Sequence, residues 1–400
     1  MWGYIGAVRT PPMRCRACFE GGDRIIDLEE NMNDLDMISD VLDKFNIKDG
    51  IKSIDMINSG HINNSYRVVT NCGTSYMVQK VNRYVFKDPT RMMSNIDRVT
   101  NYLRKKISED GGDPDRETLR FLYSESGSNY YIMPDDSFWR VSVYLDRATA
   151  YNTVVDGKML YNAGRSFGTF QRRLADFPMD TLYETIPDFH NTPKRLRDLF
   201  DAAHADPLGR AAEVSREVEF FRSVADKVCG IDRLQHQGLL PLRVTHNDTK
   251  YNNILIDDDT HEAICVIDLD TVMPGISCHD FGDAIRFIVN TAAEDEPDLD
   301  RVHVDMDYFT CFTQGFIGGS DGFFTDTEID CMALGAVCMT VEVASRFLAD
   351  YILGDKYFKI SRPRHNLDRA RNQIRLAEEM QTLYPQMQEI VYQTSGRRAV

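Results

Sequence analysis

The chain has 400 residues, 42% of them hydrophobic, with 46 Lys and Arg against 62 Asp and Glu, a formal net charge of −16. That length allows two lobes with a sizeable core, and the acidic balance argues against nucleic acid or an anionic membrane as partner. Nine cysteines lie scattered without Cys-x-x-Cys pairs, which fits reduced thiols and a cytoplasmic location, and neither a signal-peptide core nor an apolar run approaching the length of a membrane span is expected.

Residues 1–22 contain Pro11-Pro12 and several arginines without periodicity, and read as a disordered extension. From Asp34 to Phe45 the apolar residues Leu35, Ile38, Val41, Leu42 and Phe45 form a helical stripe. Strands are expected over 51–57, 65–70 and 75–81. Between the first two lies Asn58-Ser59-Gly60-His61-Ile62-Asn63-Asn64-Ser65. A turn of small polar residues between two strands offers donors to phosphate oxygens, with Gly60, Asn63, Asn64 and Ser65 as candidates against a plain hairpin turn. Lys80 closes the third strand, where a lysine gripping nucleotide phosphates would stand. The helix expected after Pro89 has no glutamate before Glu109 to pair with it, so Asp97 is the nearest acid. Tyr130–Met133 and Phe138–Leu145 complete the strands of a small lobe, followed by a hinge over 146–152. Leu160, Ala163, Phe167, Phe170 and Leu174, and then Val214, Val218, Phe221, Ala225 and Val228, are core faces of helices.

The most informative stretch runs from Val244 to Asp270. It reads Val-Thr-His246-Asn-Asp248-Thr-Lys-Tyr-Asn-Asn253-Ile-Leu-Ile, a polar turn, and Ala-Ile-Cys-Val-Ile-Asp268-Leu-Asp270. Phosphoryl transfer is mostly positioning and charge neutralisation, so it needs magnesium ligands and one group that orients the attacking hydroxyl. Asp248 has the place of that orienting base. Magnesium takes hard oxygen ligands, and the Asn253 side-chain carbonyl with the Asp268 carboxylate, completed by a nucleotide triphosphate, would suffice. A hairpin through Asp257–His261 would carry Asp268 back beside Asn253. His246 is expected to brace the loop through backbone hydrogen bonds.

Two strings compete for attention. Asp280-Phe281-Gly282 imitates a metal-binding signature but lies far from Asn253 after a Pro-Gly loop, so Asp280 should cap the helix that follows or tie the catalytic loop down. Asp268-Leu269-Asp270-Thr271-Val272 imitates the nucleophile motif of haloacid-dehalogenase-like phosphatases, a reading that leaves the preceding motif unexplained. Farther on, 327–353 is apolar nearly all round and should be a buried helix, with Glu342 and Arg346 as an intrahelical ion pair. Leu367, Ala370, Ile374 and Ala377 make a final packing stripe.

The order His246-x-Asp248-x4-Asn253 followed by a strand-final Ile267-Asp268 resembles the aminoglycoside phosphotransferase and choline kinase group, distant relatives of protein kinases. The phrases Leu240–Lys250, Val266–Gly275, Phe189–Pro193 and Gly354–Ile360 are similar to those of N-acetylhexosamine 1-kinases, and the likeness runs from about Ile54 to about Leu376. The resemblance implies a bilobal protein-kinase-like α+β fold: a small, mainly β nucleotide-binding lobe over 23–146 and a larger, mainly α catalytic and substrate-binding lobe over 147–400. It implies ATP and Mg2+ as cofactors and phosphorylation of the anomeric hydroxyl of an amino sugar, with Arg346, Tyr357 and His61 facing the sugar. Rival readings are a kinase of the same group acting on choline, an amino alcohol or an aminoglycoside, and a catalytically silent kinase-like binding module.

Overall fold

The computed structural model describes residues 23–57, 62–152 and 156–397. The extension expected over 1–22, and with it Gly60 and His61, lies outside those residues.

The first lobe is built from α1 (Asp23–Lys44), β1 (Ile51–Ile57), β2 (Asn64–Thr70), β3 (Ser75–Val81), α2 (Pro89–Glu109), α3 (Pro114–Glu117), β4 (Tyr131–Ile132) and β5 (Phe138–Val143). The strands form one antiparallel sheet in the order β1-β2-β3-β5-β4. Alternation along the strands sends side chains to two faces. Tyr66, Val68, Val78, Trp139 and Val141 join α1 in one apolar cluster, while Val81 and Phe138 join α2 in the main core. On α1 the residues Ile38, Val41 and Leu42 are buried, as is Phe45 just after it, but Leu35 is 42% exposed and Asp34 is fully buried in its place. Positions 34, 38, 41, 42 and 45 share one face at 100° per residue, and 35 falls off it.

The second lobe follows with β6 (Ala148–Thr149), α4 (Gly157–Arg173), α5 (Thr192–Ala205), α6 (Ser215–Val228), α7 (Gly230–His236), β7 (Arg243–Thr245), β8 (Ile254–Asp257), β9 (Ala263–Val266), β10 (Met273–Gly275), α8 (Ser277–Ile288), α9 (Met306–Ser320), α10 (Asp326–Leu353) and α11 (His365–Thr394). Its strands make two small sheets, β6-β8-β9 and β10-β7. The architecture is a kinase-like α+β fold, an antiparallel-sheet lobe followed by a larger helical one. The chain crosses between them just after Val143, so the expected hinge segment carries β6, whose Ala148 and Thr149 pair with Asp257 and Ile256.

Helix α10 departs from one expectation: by length and composition it could cross a membrane. Nearly all of it is buried against α11, α8 and α5, the setting in which a soluble core also demands a helix apolar all round. It starts in a capping box between Thr325 and Glu328 and stops at Gly354, whose φ of 103° suits glycine. Where α8 crosses α10, a Cβ on Gly282 would stand 2.2 Å from the carbonyl oxygen of Gly335. Gly282→Ala must therefore push two helix backbones apart, at a cost of about 1–3 kcal/mol or more, and thermal unfolding should show the loss. Its neighbour Phe281 packs among Phe309, Phe312 and Phe316 with ring centroids 5.4–6.1 Å away, which makes the ring of the Asp-Phe-Gly string a core side chain.

Candidate active site

The catalytic loop hangs between β7 and β8. Upstream it is anchored by Arg243, whose Nε and Nη2 donate to the two carboxylate oxygens of buried Glu328 at 3.0 and 2.8 Å. Within the loop, Asp280 accepts the backbone N–H groups of His246 and Asn247 at 2.8 and 2.7 Å, and Gln171 Nε2 donates to it at 2.7 Å. Asp283 accepts the Thr249 N–H at 3.0 Å. So Asp280 ties the loop down, one of the two roles foreseen; it does not cap, because α8 has already begun at Ser277. His246 braces as expected: its Nδ1 accepts the Asp248 N–H at 3.3 Å and its Nε2 faces the Ile267 carbonyl at 2.8 Å, which sets the tautomer.

This bracing fixes the backbone that carries Asp248. Asn253 Nδ2 donates to the Asp248 carbonyl oxygen at 2.7 Å, so its Oδ1 points away and has no protein partner among the described residues. The hairpin closes as the spacing predicts, with Ile254 opposite Val266 and the Ile267 N–H on the Asn253 carbonyl at 2.9 Å. Asp268 follows at once in a left-handed conformation, φ 57°. Asp248, Asn253 and Asp268 thus come together.

Charge in this trio is uneven. Burial would raise the Asp248 carboxyl, but the Lys250 ammonium at 2.7 Å outweighs it and holds the group below the usual carboxylate range. Asp268 is open to the groove yet hemmed in; enclosure, then the Asp270 and Asp248 carboxylates, push it up to about 7. Such crowding of anions is what a divalent cation would relieve. Among the described residues no cluster of three His, Cys, Asp or Glu side chains could hold a metal by themselves. An Asn253–Asp268 site therefore has to be completed by phosphate oxygens and water, the pattern magnesium favours.

The first lobe contributes Lys80, and here the structure corrects an expectation. Lys80 Nζ pairs at 2.8 Å with Asp34 on α1, while Asp97 accepts the Tyr123 hydroxyl at 2.5 Å. Asp34 also accepts from Asn64 Nδ2 at 2.9 Å and the Tyr66 hydroxyl at 3.0 Å. Of the other phosphate candidates, Ser65 Oγ accepts from Gln79 Nε2 at 2.9 Å, and Asn63 Nδ2 donates to Asp270 at 2.7 Å. Asp270 in turn receives Arg140 of β5 through two bonds of 2.5 and 3.1 Å. This buried bidentate pair joins the lobes two residues from Asp268, a strut that sequence reading missed. It also gives Asp270 a structural task in place of a phosphatase one.

On α10 a second expectation fails. Glu342 does not pair with Arg346; it is fully buried and accepts from His190 Nδ1 at 2.9 Å and Thr192 Oγ1 at 2.7 Å. Arg346, one turn on, lies over the rings of Tyr357 and Phe358 and reaches the Tyr357 hydroxyl at 3.4 Å. Asp350 holds the Tyr357 segment by accepting the N–H groups of Lys356, Tyr357 and Phe358 at 2.9–3.0 Å. Arg195 of α5 is close enough that, after burial, Arg346 is what lowers its pKa most. Asp34, Lys250, His190 and Arg195 went unassigned in the sequence, although Asp34 lies one turn before Ile38 on the stripe and the other three stand in or beside phrases already singled out. A separate cavity of about 310 Å³ beside Asn162, Arg165, Arg173 and Val266 holds none of these groups.

A carboxylate, an amide five residues on and a strand-final carboxylate, set in a two-lobed fold with a strand lysine in the other lobe, have the make-up of a phosphotransferase site on a kinase-like scaffold. The sequence model of the phosphotransferase enzyme family (APH) matches residues 54–307, more than half of the chain, and the protein belongs to that family. Among solved structures it is similar to the microcompartment-associated aminopropanol kinase, with a TM-score of 0.59, 15% identity, and 88% of this chain and 98% of that one covered. It is also similar to an aminoglycoside phosphotransferase from Alicyclobacillus acidocaldarius, TM-score 0.57, 13% identity, 88% and 96% covered. Amicoumacin kinase in complex with AMP-PNP, Ca2+ and Ami gives a TM-score of 0.52 at 11% identity over 93% and 96%.

Proposed function

We propose that this protein transfers the terminal phosphoryl group of ATP, with Mg2+, to the anomeric hydroxyl of an N-acetylhexosamine such as N-acetylglucosamine or N-acetylgalactosamine. The observation that carries the transfer is the convergence of Asp248, Asn253 and Asp268. Asp248 orients the acceptor hydroxyl and takes its proton. Lys250, beside it, offsets charge where the phosphoryl group arrives, and Lys80 with the segment Gly60–Ser65 holds the phosphates. Asn253 Oδ1 and Asp268 would hold the cation, which supplies charge neutralisation on the phosphate oxygens. A nucleotide analogue and a divalent cation bound to amicoumacin kinase support that pairing of ligands on this fold.

For the acceptor, the supporting observation is the cluster of Arg195, Arg346 and Tyr357. Two guanidinium groups close enough to repel each other favour acetamido and hydroxyl oxygens and disfavour choline, an aminoglycoside or another cation. His61 is proposed to reach the sugar from the first lobe. A panel of N-acetyl sugars, amino alcohols and aminoglycosides in a coupled ADP assay tests this, with phosphorus NMR locating the new ester. Turnover of a cationic acceptor above any N-acetyl sugar would overturn the sugar assignment, and Mg2+-dependent ADP release with none of them would overturn the acceptor class.

Metal binding should also depend on pH. An acid whose pKa is raised to about 7 in the folded protein costs stability as pH climbs from its unfolded value towards neutrality. Mg2+ with nucleotide should reverse that cost, so the thermal shift it produces should grow between about pH 6 and pH 8, where protons cease to compete. In Asp268→Asn the shift should be small and flat with pH.

A further inference from the structure

His190 lies just before α5, and both of its ring nitrogens face acceptors. Nδ1 is 2.9 Å from Glu342 Oε1 of α10, and Nε2 is 2.9 Å from the backbone carbonyl oxygen of Asn247, the residue before the base. A neutral imidazole has one N–H, so one of these contacts would set lone pair against lone pair; an imidazolium satisfies both. Glu342 requires the same answer. Its carboxylate is fully buried, Thr192 occupies the other oxygen, and among the described residues His190 is its ion-pair partner. A buried carboxylate without a counter-charge would cost several times what an ordinary hydrogen bond returns.

The carbonyl that His190 holds is the remaining backbone group of a residue otherwise fully tethered. Asn247 has φ 66°, its N–H is on Asp280, and its side chain bonds Thr271 O and Thr245 Oγ1 at 2.9 Å each. On the other side, Arg195 Nη2 donates to the carbonyl oxygens of Asp188 and Phe189 at 2.9 and 3.1 Å, tying the strap that carries His190 to the arginine cluster of the acceptor side. Building on the phosphotransfer reading, we infer that His190 is a positioning residue: as an imidazolium it links α10 and the acceptor cluster to the catalytic loop and holds Asp248 in register for the acceptor hydroxyl.

The surrounding charges agree. Burial opposes the charged ring, but Glu342, and then Asp283 of α8, raise its pKa above the ordinary value. His279 of α8, whose ring centroid is 5.8 Å away, is pushed down to about 4 by burial and by the His190 charge, and stays neutral. Farther out, Asp232 of α7 and Arg195 of α5 act on Glu342 and are acted on by it. A raised histidine pKa places the loss on the alkaline side: the clamp holds at low and neutral pH and fails as pH rises through the folded-state value.

The test uses the full chain with 15N-labelled histidine. One ring, absent from the spectrum of His190→Gln, should show both nitrogens protonated at pH 7. His190→Gln should lower kcat roughly tenfold or more while the KM for ATP stays within about twofold, with faster amide exchange over residues 246–250 and an altered alkaline limb of the kcat profile. Because a single substitution strands the Glu342 charge and endangers folding, the paired variant His190→Leu with Glu342→Leu removes both charges together and should show the same kcat and exchange effects. A singly protonated ring at pH 7, or variants with wild-type kcat and wild-type exchange in the loop, would overturn the inference. Ring protonation and loop exchange are read without turnover, so a wild-type protein inactive on every acceptor would count against the phosphotransfer reading alone.

Discussion

Asp248→Asn is expected to bind ATP almost as the wild type does and to turn over at least about a hundredfold more slowly, a loss of about 2.7 kcal/mol in transition-state stabilisation. The separation follows from geometry. Lys80 and the start of β2 lie in the other lobe, and the proposed cation ligands Asn253 and Asp268 keep their own tethers, the Asn253 amide on the Asp248 backbone carbonyl and the Ile267 N–H on the Asn253 carbonyl. The amide keeps the side-chain shape but cannot accept a proton. It also takes from Lys250 the carboxylate that keeps its ammonium charged against burial, so a small drop in melting temperature should accompany the kinetic loss. Single-turnover rates beside calorimetric ATP binding measure both, and near-wild-type turnover would remove Asp248 from the role of base.

The second large effect is expected at a residue outside the family-matched segment 54–307. Asp34→Asn removes a fully buried carboxylate that accepts from Lys80, Asn64 and Tyr66 together. Lys80 then loses its ion-pair partner on α1, and Asn64 loses its anchor at the start of β2, in the segment proposed to hold the phosphates. The KM for ATP should rise about tenfold and kcat/KM should fall by more than that, since breaking a buried charge pair costs more than the pair contributes. Asp97→Asn, at the acid nearest to Lys80 in sequence terms, should change neither constant, because Asp97 only receives the Tyr123 hydroxyl. Steady-state kinetics on the two variants decide which helix serves the lysine; the reverse outcome would return that role to α2.

How much was legible in the sequence differs by scale of interaction. The strands over 51–57 and 75–81 were read to the residue, because alternating apolar positions bounded by turn residues are a local signal. Helix faces such as Leu160–Leu174 and Leu367–Ala377 are buried as their 3.6-residue period requires. The convergence of Asp248, Asn253 and Asp268 was legible because the three sit within 21 residues, joined by one hairpin whose turn chemistry is explicit. His246 braces the loop as expected, its two ring nitrogens engaged by the Asp248 N–H and the Ile267 carbonyl.

Errors gathered where a charged side chain chooses a partner. Glu342 and Arg346 satisfy every local rule for an ion pair, yet His190 and Thr192, some 150 positions earlier, take the glutamate because its buried charge needs a cation and a hydroxyl at fixed geometry. Lys80 bypasses the helix that follows it for Asp34 on the one that precedes the sheet. Asp270 spans from one lobe to the other to meet Arg140, and the local sequence around either residue gives no hint of it.

From its sequence alone this protein reveals the chemistry it is built for: the residue types that transfer phosphoryl groups, their order, and the strands and helices that carry them, all set by periodicity and turn residues over short distances. Only the tertiary structure decides which charges neutralise one another. Burial makes an unpaired charge too costly to keep, and the partner that relieves it is whichever group the packing of distant elements brings within about 3 Å. That is how a helix ahead of the sheet came to hold Lys80, and how a histidine between two acceptors came to hold the loop that carries Asp248.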